Sequence, residues 1–276
     1  MPELPEVETV KRITEPQIRG RSVLSVKILN PQVIAYPDSG SLAALLTGRT
    51  FAGMSRRGKY LSFDMENGDR LFLHLRMTGQ LLVTPQDHPE EKHTHLIVDI
   101  SGGKQIRYID VRRFGRFWYL KNGEDDSIVG IDRLGPEPDD KRLTADYLKE
   151  KLGKKKSTVK EMLHDQTVVA GIGNIYSDEI LFASRIYPGK RCCDLDDGEW
   201  ETLAANIPKT IAYYIEKNAI TPEEYLDGKG MEYRNTPFLR AYGHAGEPCP
   251  VCGATFEKKS VGGRHAVFCP KCQKYG

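Results

Sequence analysis

Four of the six cysteines in the sequence have the spacing of a metal site. They form two Cys-x-x-Cys pairs, CPVC at residues 249–252 and CPKC at residues 269–272, with sixteen residues between the pairs. Two such pairs can bring four thiolates into the tetrahedron that zinc prefers. Two disulfides or four unrelated thiols are the alternatives, but the spacing is specific and we expect an intracellular protein, in which disulfides are rare. The spacing therefore predicts one zinc ion, bound by Cys249, Cys252, Cys269 and Cys272.

The residues between the cysteine pairs predict a β-hairpin. The segment TFEKKSVGGRHAVF has two strand-like arms around Gly262 and Gly263, which places Arg264 beside the turn. Because cysteine occupies all four ligand positions, the zinc site is closed and structural. The other two cysteines, Cys192 and Cys193, are adjacent in the sequence, and we assign them no role.

The N-terminus, MPELPEVETV, combines prolines with carboxylates. Pro5 suits the first position of a helix, and Glu6 then lies near the positive end of the helix dipole. Apolar residues recur at helical spacing as far as residue 13, so we expect a short helix that ends before residue 16 or 20. Helix formation explains Pro5 and Glu6, and it leaves Pro2 and Glu3 unexplained.

A glycine-containing motif, QTVVAGIGNIYSDEIL at residues 166–181, predicts a tight turn followed by a helix. Asn174 can cap that helix. The N–H groups at the start of a helix bind anions readily. We therefore expect this turn, together with Asn174 and the upstream Lys160, to contact a DNA phosphate.

Length and charge limit the possible classes of protein. A chain of 276 residues is enough for about two domains, and its net charge of +2 does not by itself indicate a nucleic-acid partner. Basic residues are nevertheless clustered at residues 56–59, 104–116 and 151–160 and in the last 29 residues, which favours a phosphate-binding face. No segment has the pattern of a membrane span or a signal peptide, so we expect a cytosolic protein.

The pattern of secondary structure changes once along the chain. From residue 22 to residue 120 the sequence is typical of strands, and SGGK at residues 101–104 predicts a hairpin turn. LGPEPDD at residues 134–140 predicts a linker. Beyond it the apolar spacing is helical, and Thr158 with Glu161 predicts a capping box. We expect an antiparallel β-sandwich with an N-terminal helix, followed by a helical region.

Five motifs together resemble the bacterial formamidopyrimidine-DNA glycosylase family. They are MPELPEVET, HLRMTGQL at 74–81, DVRRFG at 110–115, DQTVVAGIGNIYSDE at 165–179 and the cysteine hairpin. The resemblance implies an α+β fold, in which an N-terminal antiparallel β-sandwich precedes a helix-two-turn-helix module and a zinc-finger hairpin. The implied domains are a catalytic sandwich (1–133), a linker (134–140), the helix-two-turn-helix module (141–228), and a lesion-covering loop with the zinc finger (229–276).

The resemblance also implies a reaction. Family members excise oxidised purines, notably 8-oxoguanine and formamidopyrimidines, from double-stranded DNA and then cut the abasic site. Removal of Met1 would make Pro2 the N-terminus, and an α-amino group with a reference pKa of about 8 has a useful neutral fraction near neutral pH. Pro2 would attack C1′ of the damaged nucleotide and form an iminium. Glu3 would transfer protons as the sugar opens.

Other residues acquire roles through the same resemblance. Glu6 would orient the amine, and Lys59 and Arg264 would complete the catalytic set by contacting phosphates. Further DNA-binding residues would grip phosphates or fill the space that the extruded nucleotide leaves. They are His74 and Asn174 for phosphates, and Met77, Arg112 and Phe114 for the vacated space.

Two alternatives remain open. One is a glycosylase of the endonuclease VIII type, which prefers oxidised pyrimidines; the HLRMTG and RRFG motifs disfavour it. The other is a non-catalytic DNA-binding zinc protein, which the intact Pro2, Glu3 and Lys59 disfavour. Residues 221–248 depart from the family pattern in the region that covers the extruded base, so the lesion preference is less predictable than the chemistry. We expect a monomer in the bacterial cytoplasm.

Overall fold

Two compact units make up the described part of the chain, which in this computed structural model comprises residues 2–231 and 235–274. The N-terminal unit contains Pro2 and residues 6–132 and 218–231, and the C-terminal unit contains residues 3–5, 133–217 and 235–274. Met1, whose removal the family resemblance implies, lies outside the described residues, as do residues 232–234 of the predicted lesion-covering loop.

The first 132 residues contribute two helices and nine strands to the N-terminal unit. The helices are α1 (Leu4–Ile18) and α2 (Ser39–Leu46). The strands are β1 (Val23–Ile28), β2 (Ile34–Tyr36), β3 (Phe51–Arg57), β4 (Tyr60–Met65), β5 (Arg70–His74), β6 (Gly79–Pro85), β7 (Thr94–Ile100), β8 (Lys104–Asp110) and β9 (Arg116–Leu120). Short 3-10 helices lie at Pro31–Val33, Asp126–Ile128 and Ile131–Arg133.

The strands form two sheets that share one hydrophobic core. The strand order is β1-β7-β8-β6 in one sheet and β2-β9-β5-β4-β3 in the other. Buried side chains from both sheets, such as Phe63 and Tyr108, pack together with Val7 and Val10 of α1. The predicted hairpin joins β7 to β8, with Ile100 paired to Lys104. The predicted sandwich with its N-terminal helix is confirmed, although β2 runs parallel to β9.

Two connections between the sheets lie side by side in the N-terminal unit. Residues 75–78 join β5 to β6, and residues 111–115 join β8 to β9. The strand registers pair His74 with Arg116 and Gly79 with Asp110, so the two connections begin and end at paired positions. We call residues 75–78 and 111–115 the paired loops.

The C-terminal unit consists of four helices and a two-stranded hairpin. The elements are α3 (Ala145–Leu152), α4 (Val159–His164), α5 (Asn174–Ser184), α6 (Asp197–Lys217), β10 (Glu257–Val261) and β11 (Arg264–Phe268). Short 3-10 helices lie at Cys192–Asp194 and Thr236–Phe238. The predicted capping box is present, because Thr158 and Glu161 exchange side-chain to backbone hydrogen bonds at the start of α4. No helix among the described residues combines the length and the hydropathy needed to cross a membrane.

Two segments pack differently from what their composition indicates. Gly135 and Pro136, in the predicted linker, make backbone hydrogen bonds to Gln166 (2.8 Å) and Ala170 (2.9 Å), so this stretch is part of the C-terminal unit. Residues 218–231 belong to the N-terminal unit and include helix α7 (Pro222–Asp227). Tyr225 of α7 is buried in the core of that unit, and periodicity alone does not reveal this packing.

Candidate active site

Glu3 is bound at the N-terminus of α5. Its side chain is 1% exposed, and its carboxylate accepts the N–H groups of Gly173 (2.7 Å), Ile175 (2.9 Å) and Tyr176 (3.3 Å). The first N–H groups of a helix have no partner within the helix and lie at the positive end of its dipole, so they stabilise a negative charge. The sequence predicts a DNA phosphate as the ligand of these N–H groups, and the structure gives them Glu3 instead.

The two glycines of the turn make room for the N-terminal segment. A Cβ on Gly173 would lie 2.4 Å from Cδ of Glu3, and a Cβ on Gly171 would lie 2.4 Å from Cδ1 of Leu4. Gly171 also has a φ of +87°, which favours glycine. The turn at residues 171–173 and residues 3–4 are therefore one structural element, although about 170 residues separate them in the sequence.

Three further predicted residues lie near the N-terminal end of a helix. Asn174 is the first residue of α5, and its Oδ1 is buried without a hydrogen-bond partner among the described residues. A buried polar atom of this kind costs about 1–3 kcal/mol unless a water or a ligand satisfies it. Pro2 is buried and precedes Glu3 in the sequence, and Glu6 is buried in the first turn of α1.

Lys59 and His74 are both buried in the N-terminal unit. Lys59 is predicted on a strand, and the structure places it in the tight turn between β3 and β4. The Nδ1 atom of His74 accepts the N–H of Arg76 at 2.9 Å. Burial, together with the charges of Arg76 and Lys59, lowers the pKa of His74 to about 3. The ring is therefore neutral near pH 7, with its proton on Nε2, where it can donate to a phosphate oxygen.

The structure brings Met77, Arg112 and Phe114 together on the paired loops. Nη1 of Arg112 lies 3.0 Å from Sδ of Met77, and its guanidinium lies 4.6 Å from the centroid of the Phe114 ring. Met77 is 43% exposed and Phe114 is 46% exposed, although their residue types alone predict burial in the core. We call these three residues the loop cluster, and it presents an apolar and cationic surface to solvent.

Asp110 holds the paired loops together. This aspartate is fully buried, and its carboxylate accepts hydrogen bonds from the N–H groups of Gly115 (2.9 Å) and Arg112 (3.1 Å) and from the hydroxyls of Tyr108 (3.0 Å) and Thr78. Burial disfavours the charged form, but these hydrogen bonds outweigh it and lower the pKa of Asp110. Asp110 receives no role in the sequence analysis. In the sequence this residue stands out only as a single acid within a run of arginines.

Lys160 is not placed for the phosphate contact that the lysine cluster predicts. Its side chain is 1% exposed, and its Nζ donates to Oδ1 of Asp178 (2.6 Å) and to the carbonyl of His265 (2.7 Å). A cluster of lysines is typical of a solvated face, so the burial of this one is a tertiary effect. Arg264, in contrast, is exposed at the start of β11.

The four cysteine sulfurs fit a zinc ion. They all lie within 4.8 Å of one another, with 3.9 Å between Cys249 and Cys272 and 3.4 Å between Cys252 and Cys269. A tetrahedral zinc with bonds of about 2.3 Å places its sulfurs ~3.8 Å apart. The N–H group of Cys272 also points at Sγ of Cys269 (3.4 Å). The site binds one structural zinc, and Cys192 and Cys193 are not part of it.

Three family models match successive parts of the chain. They are the formamidopyrimidine-DNA glycosylase N-terminal domain over residues 1–117, the formamidopyrimidine-DNA glycosylase H2TH domain over residues 134–224, and the zinc finger found in FPG and IleRS over residues 246–274. The three matches follow the order of the sandwich, the helical region and the cysteine hairpin described above.

Curated relatives and solved structures match over nearly the whole length. The formamidopyrimidine-DNA glycosylases of Pelotomaculum thermopropionicum and Desulforamulus reducens are 38% and 40% identical, and each alignment covers 99% of both chains. The Lactococcus lactis FPG in complex with a FAPY-dG containing DNA is 36% identical, with a TM-score of 0.90, and the match covers 99% of this chain and 100% of that chain. A complex of Lactococcus lactis Fpg with an abasic site containing DNA has a TM-score of 0.91.

The sandwich, the H2TH module and the four-cysteine hairpin define a zinc-finger enzyme of DNA base-excision repair. The chain belongs to the formamidopyrimidine-DNA glycosylase family.

Proposed function

We propose that the chain excises oxidised purines from double-stranded DNA and cleaves the resulting abasic site, with Pro2 as the nucleophile. The observation that carries the proposal is Glu3, a buried carboxylate next to Pro2 in the sequence and fixed by three N–H groups. A carboxylate at that position can accept and return protons at a sugar bonded to Pro2. The Lactococcus lactis proteins bind DNA with Fapy-dG or an abasic site, the substrate and the intermediate of this reaction.

The proposed reaction begins when Met1 is removed and Pro2 becomes a free secondary amine. The neutral amine attacks C1′ of the damaged nucleotide, and the base leaves with the electron pair of its bond to C1′ and takes up a proton from water. The attacking nitrogen gives its proton to the Glu3 carboxylate, which passes that proton to O4′ as the sugar opens, and the nitrogen then forms an iminium with C1′. Because the iminium withdraws electrons, it favours loss of the C2′ proton, after which the 3′ and then the 5′ phosphate leave.

Two residues of each unit are proposed to bind phosphates. The neutral His74 donates from Nε2, while Lys59 and Arg264 contribute positive charge, and Asn174 contributes its side-chain amide. The buried Oδ1 of Asn174 is an acceptor, so the amide N–H groups of this side chain are the atoms that would bind a phosphate. Lys160 has no place in this set, because its Nζ is already bonded to Asp178 and His265 within the protein. Glu6 is proposed to orient the amine.

The loop cluster is proposed to occupy the space that the extruded nucleotide leaves. Phe114 and Met77 are large, apolar and about half exposed, as expected of side chains that insert between base pairs. Arg112 lies between them and can donate two hydrogen bonds to the base opposite the lesion. Asp110 ties together the two loops that carry these three side chains.

The lesion range is proposed to extend beyond purines. A solved structure of the Lactococcus lactis FPG holds an oxidized pyrimidine containing DNA, with a TM-score of 0.91 to this chain. We therefore include oxidised pyrimidines as secondary substrates. We also propose that the chain acts as a monomer in the bacterial cytoplasm, where the four zinc-binding cysteines stay reduced.

Borohydride trapping tests the proposed function. Borohydride reduces an iminium to a stable amine, so the protein without Met1 becomes covalently attached to a duplex that carries 8-oxoguanine or an abasic site. The same chain with Met1 retained is the control, and it should bind the duplex without forming the adduct. Mass spectrometry of each protein before the assay establishes which N-terminus is present. Full cleavage activity from the chain that retains Met1 would overturn the mechanism.

A further inference from the structure

The buried ion pair between Lys160 and Asp178 lies between two helices. Lys160 is on α4 and Asp178 is on α5, and the two side chains are 1% and 0% exposed. Nζ of Lys160 lies 2.6 Å from Oδ1 of Asp178. Burial raises the pKa of Asp178 to about 6 and lowers the pKa of Lys160, and the contact between opposite charges opposes both shifts. At this distance we assign the charged forms to both groups near neutral pH.

Both members of the pair also bind the backbone of β11. Lys160 donates to the carbonyl of His265 at 2.7 Å, and Asp178 accepts the N–H of Val267 at 3.0 Å through its second oxygen. These two backbone groups flank Ala266, which is fully buried. The pair therefore fixes both the position and the register of β11 against α4 and α5, and Arg264 is the residue before His265 in that strand.

Zinc alone does not fix Arg264. The nearest zinc ligand in the sequence, Cys269, is five residues away, or about 17 Å along an extended strand. At the other end of the hairpin, a Cβ on Gly262 would lie 2.1 Å from Cγ of Glu161, so the turn rests directly on α4. The hairpin is thus held at its base by zinc, at its turn by α4, and in its middle by the ion pair.

We propose that Lys160 and Asp178 are positioning residues, which hold Arg264 where it grips a DNA phosphate, and that Lys160 itself does not contact DNA. The proposal rests on the phosphate-binding role of Arg264 in the proposed function. Helix α5 then has two roles, because it binds Glu3 through its first N–H groups and β11 through Asp178.

The salt dependence of DNA binding tests the proposal. The affinity for a duplex with a stable abasic-site analogue is measured at several salt concentrations for the wild type, Arg264→Ala, Lys160→Met and the double variant. Each lost phosphate contact reduces the slope of log affinity against log salt by about 0.9. We expect Lys160→Met to reduce the slope by up to about 0.9, and the double variant to lose no more than Arg264→Ala alone.

Two outcomes would overturn the proposal. A loss of about 1.8 in the double variant means two independent contacts, and therefore a phosphate bound directly by Lys160. An unchanged slope in Lys160→Met means that the pair does not position Arg264. Lys190→Met is the matched control with an expected unchanged slope, because it removes the Lys190–Glu199 ion pair (2.6 Å) of the same unit.

A second variant allows the same test if the first variant does not fold. If Lys160→Met does not fold, Asp178→Asn gives the same comparison, because asparagine keeps one oxygen as the acceptor for Val267 and places an amide donor where Lys160 needs an acceptor, which breaks the pair. The test uses binding alone, so its result is independent of borohydride trapping. Wild-type protein that forms no trapped adduct would refute the proposed function, whereas an additive loss of slope would refute only the positioning role.

Discussion

Two fully buried aspartates, one in each unit, support exposed side chains in different ways. Among the described residues, the donors to Asp110 are neutral, namely the hydroxyls of Tyr108 and Thr78 and the N–H groups of the paired loops, and its pKa lies below the usual range because those hydrogen bonds outweigh burial. Asp178 faces the ammonium of Lys160, and burial raises the pKa of Asp178 to about 6. One aspartate ties two irregular loops, and the other joins regular elements.

The difference shows how each region gains its rigidity. The donors to Asp110 come from residues 108–115 and from Thr78, so the loop cluster is organised by one local carboxylate. The region around α5 instead joins residues 3, 160, 178 and 267, which are distant in the sequence. A change in the paired loops should therefore stay local, whereas a change at α5 should affect the chemistry and the phosphate grip.

The largest effect is expected at the contact between α5 and Glu3. Gly173→Ala would put a Cβ 2.4 Å from Cδ of Glu3, and the φ of −135° at this position is accessible to alanine, so displacement of Glu3 is the main consequence. We expect excision of 8-oxoguanine to slow by about 10²-fold, since misplacing a catalytic group by about 1 Å has effects of this size. Single-turnover excision measures it.

Two further variants give an upper and a lower limit for the loss of excision rate expected in Gly173→Ala. Glu3→Gln removes the proton transfer itself and should slow excision by about 10²- to 10⁴-fold. Gly198→Ala introduces the same methyl group near the start of α6, where its nearest neighbour is 3.4 Å away, and should leave the rate unchanged. A wild-type rate for Gly173→Ala would show that the position of Glu3 is not critical for the reaction.

In the paired loops the next largest effect is expected for Arg112→Ala. The guanidinium of Arg112 can donate two hydrogen bonds to the acceptor edge of cytosine, whereas adenine presents a donor there. Losing this contact should reduce the preference for lesions opposite cytosine by about ten- to a hundredfold. Excision opposite all four bases measures the preference, and cleavage of a preformed abasic site should change less.

Arg113 is the control for this prediction, with a correction to its expected geometry. Strand alternation predicts that Arg113 points away from Arg112, but β8 ends at Asp110 and Arg113 has a φ of +58°. Arg113→Asn is the appropriate variant, because asparagine tolerates this left-handed conformation better than alanine. If Arg113→Asn loses the preference and Arg112→Ala keeps it, the assignment within the RRFG motif is wrong.

A smaller effect on base preference, accompanied by lost stability, is expected for Asp110→Asn. The amide of asparagine would direct N–H groups at donors that now point to a carboxylate, so one or more buried donors would lose their acceptor. Unsatisfied buried donors cost about 1–3 kcal/mol each, which thermal unfolding can detect. Borohydride trapping on an abasic duplex should be almost unchanged. An equal loss of trapping would contradict the local character of the paired loops.

Sequence reasoning identified the features that depend on nearby residues. The zinc site follows from the Cys-x-x-Cys spacing, since each pair is a local turn and four thiolates suit zinc. The hairpins and the capping box at Thr158 and Glu161 follow from turn and cap preferences for the same reason. The family motifs added residues such as Met77 and Phe114, whose exposure is opposite to what their residue types predict.

Tertiary contacts account for what the sequence did not reveal. The lysine run at residues 151–160 predicts a solvated face, and residue type does not distinguish the buried Lys160 from the exposed lysines of the same run. The glycines of the turn at residues 171–173 indicate a close approach, but the partner, Glu3, lies at the other end of the chain. Asp110 was visible only as an acid among arginines, because its four donors are assembled by strand register.

The smallest expected effect compares two histidines with opposite pKa shifts. Burial lowers the pKa of His74 to about 3, so between pH 6.5 and 3 the unfolded chain binds a proton that the folded chain does not, and stability falls on acidification. From pH 7.5 to 5.5 this loss is about 1.4 kcal/mol. His74→Gln should remove it, so the free energy of unfolding should depend less on pH across this interval.

His244 provides the control of opposite sign. Its hydrogen bond to Glu247 (2.7 Å) raises its pKa, so its contribution is fully present below the unfolded pKa and is lost as the pH rises through the folded pKa. His244→Gln should therefore steepen the loss of stability on acidification, where His74→Gln makes it shallower. Urea unfolding at pH 5.5 and 7.5 compares the two variants. If both shift the pH dependence in the same direction, His74 is not held neutral, and its proposed role as an Nε2–H donor to phosphate fails with it.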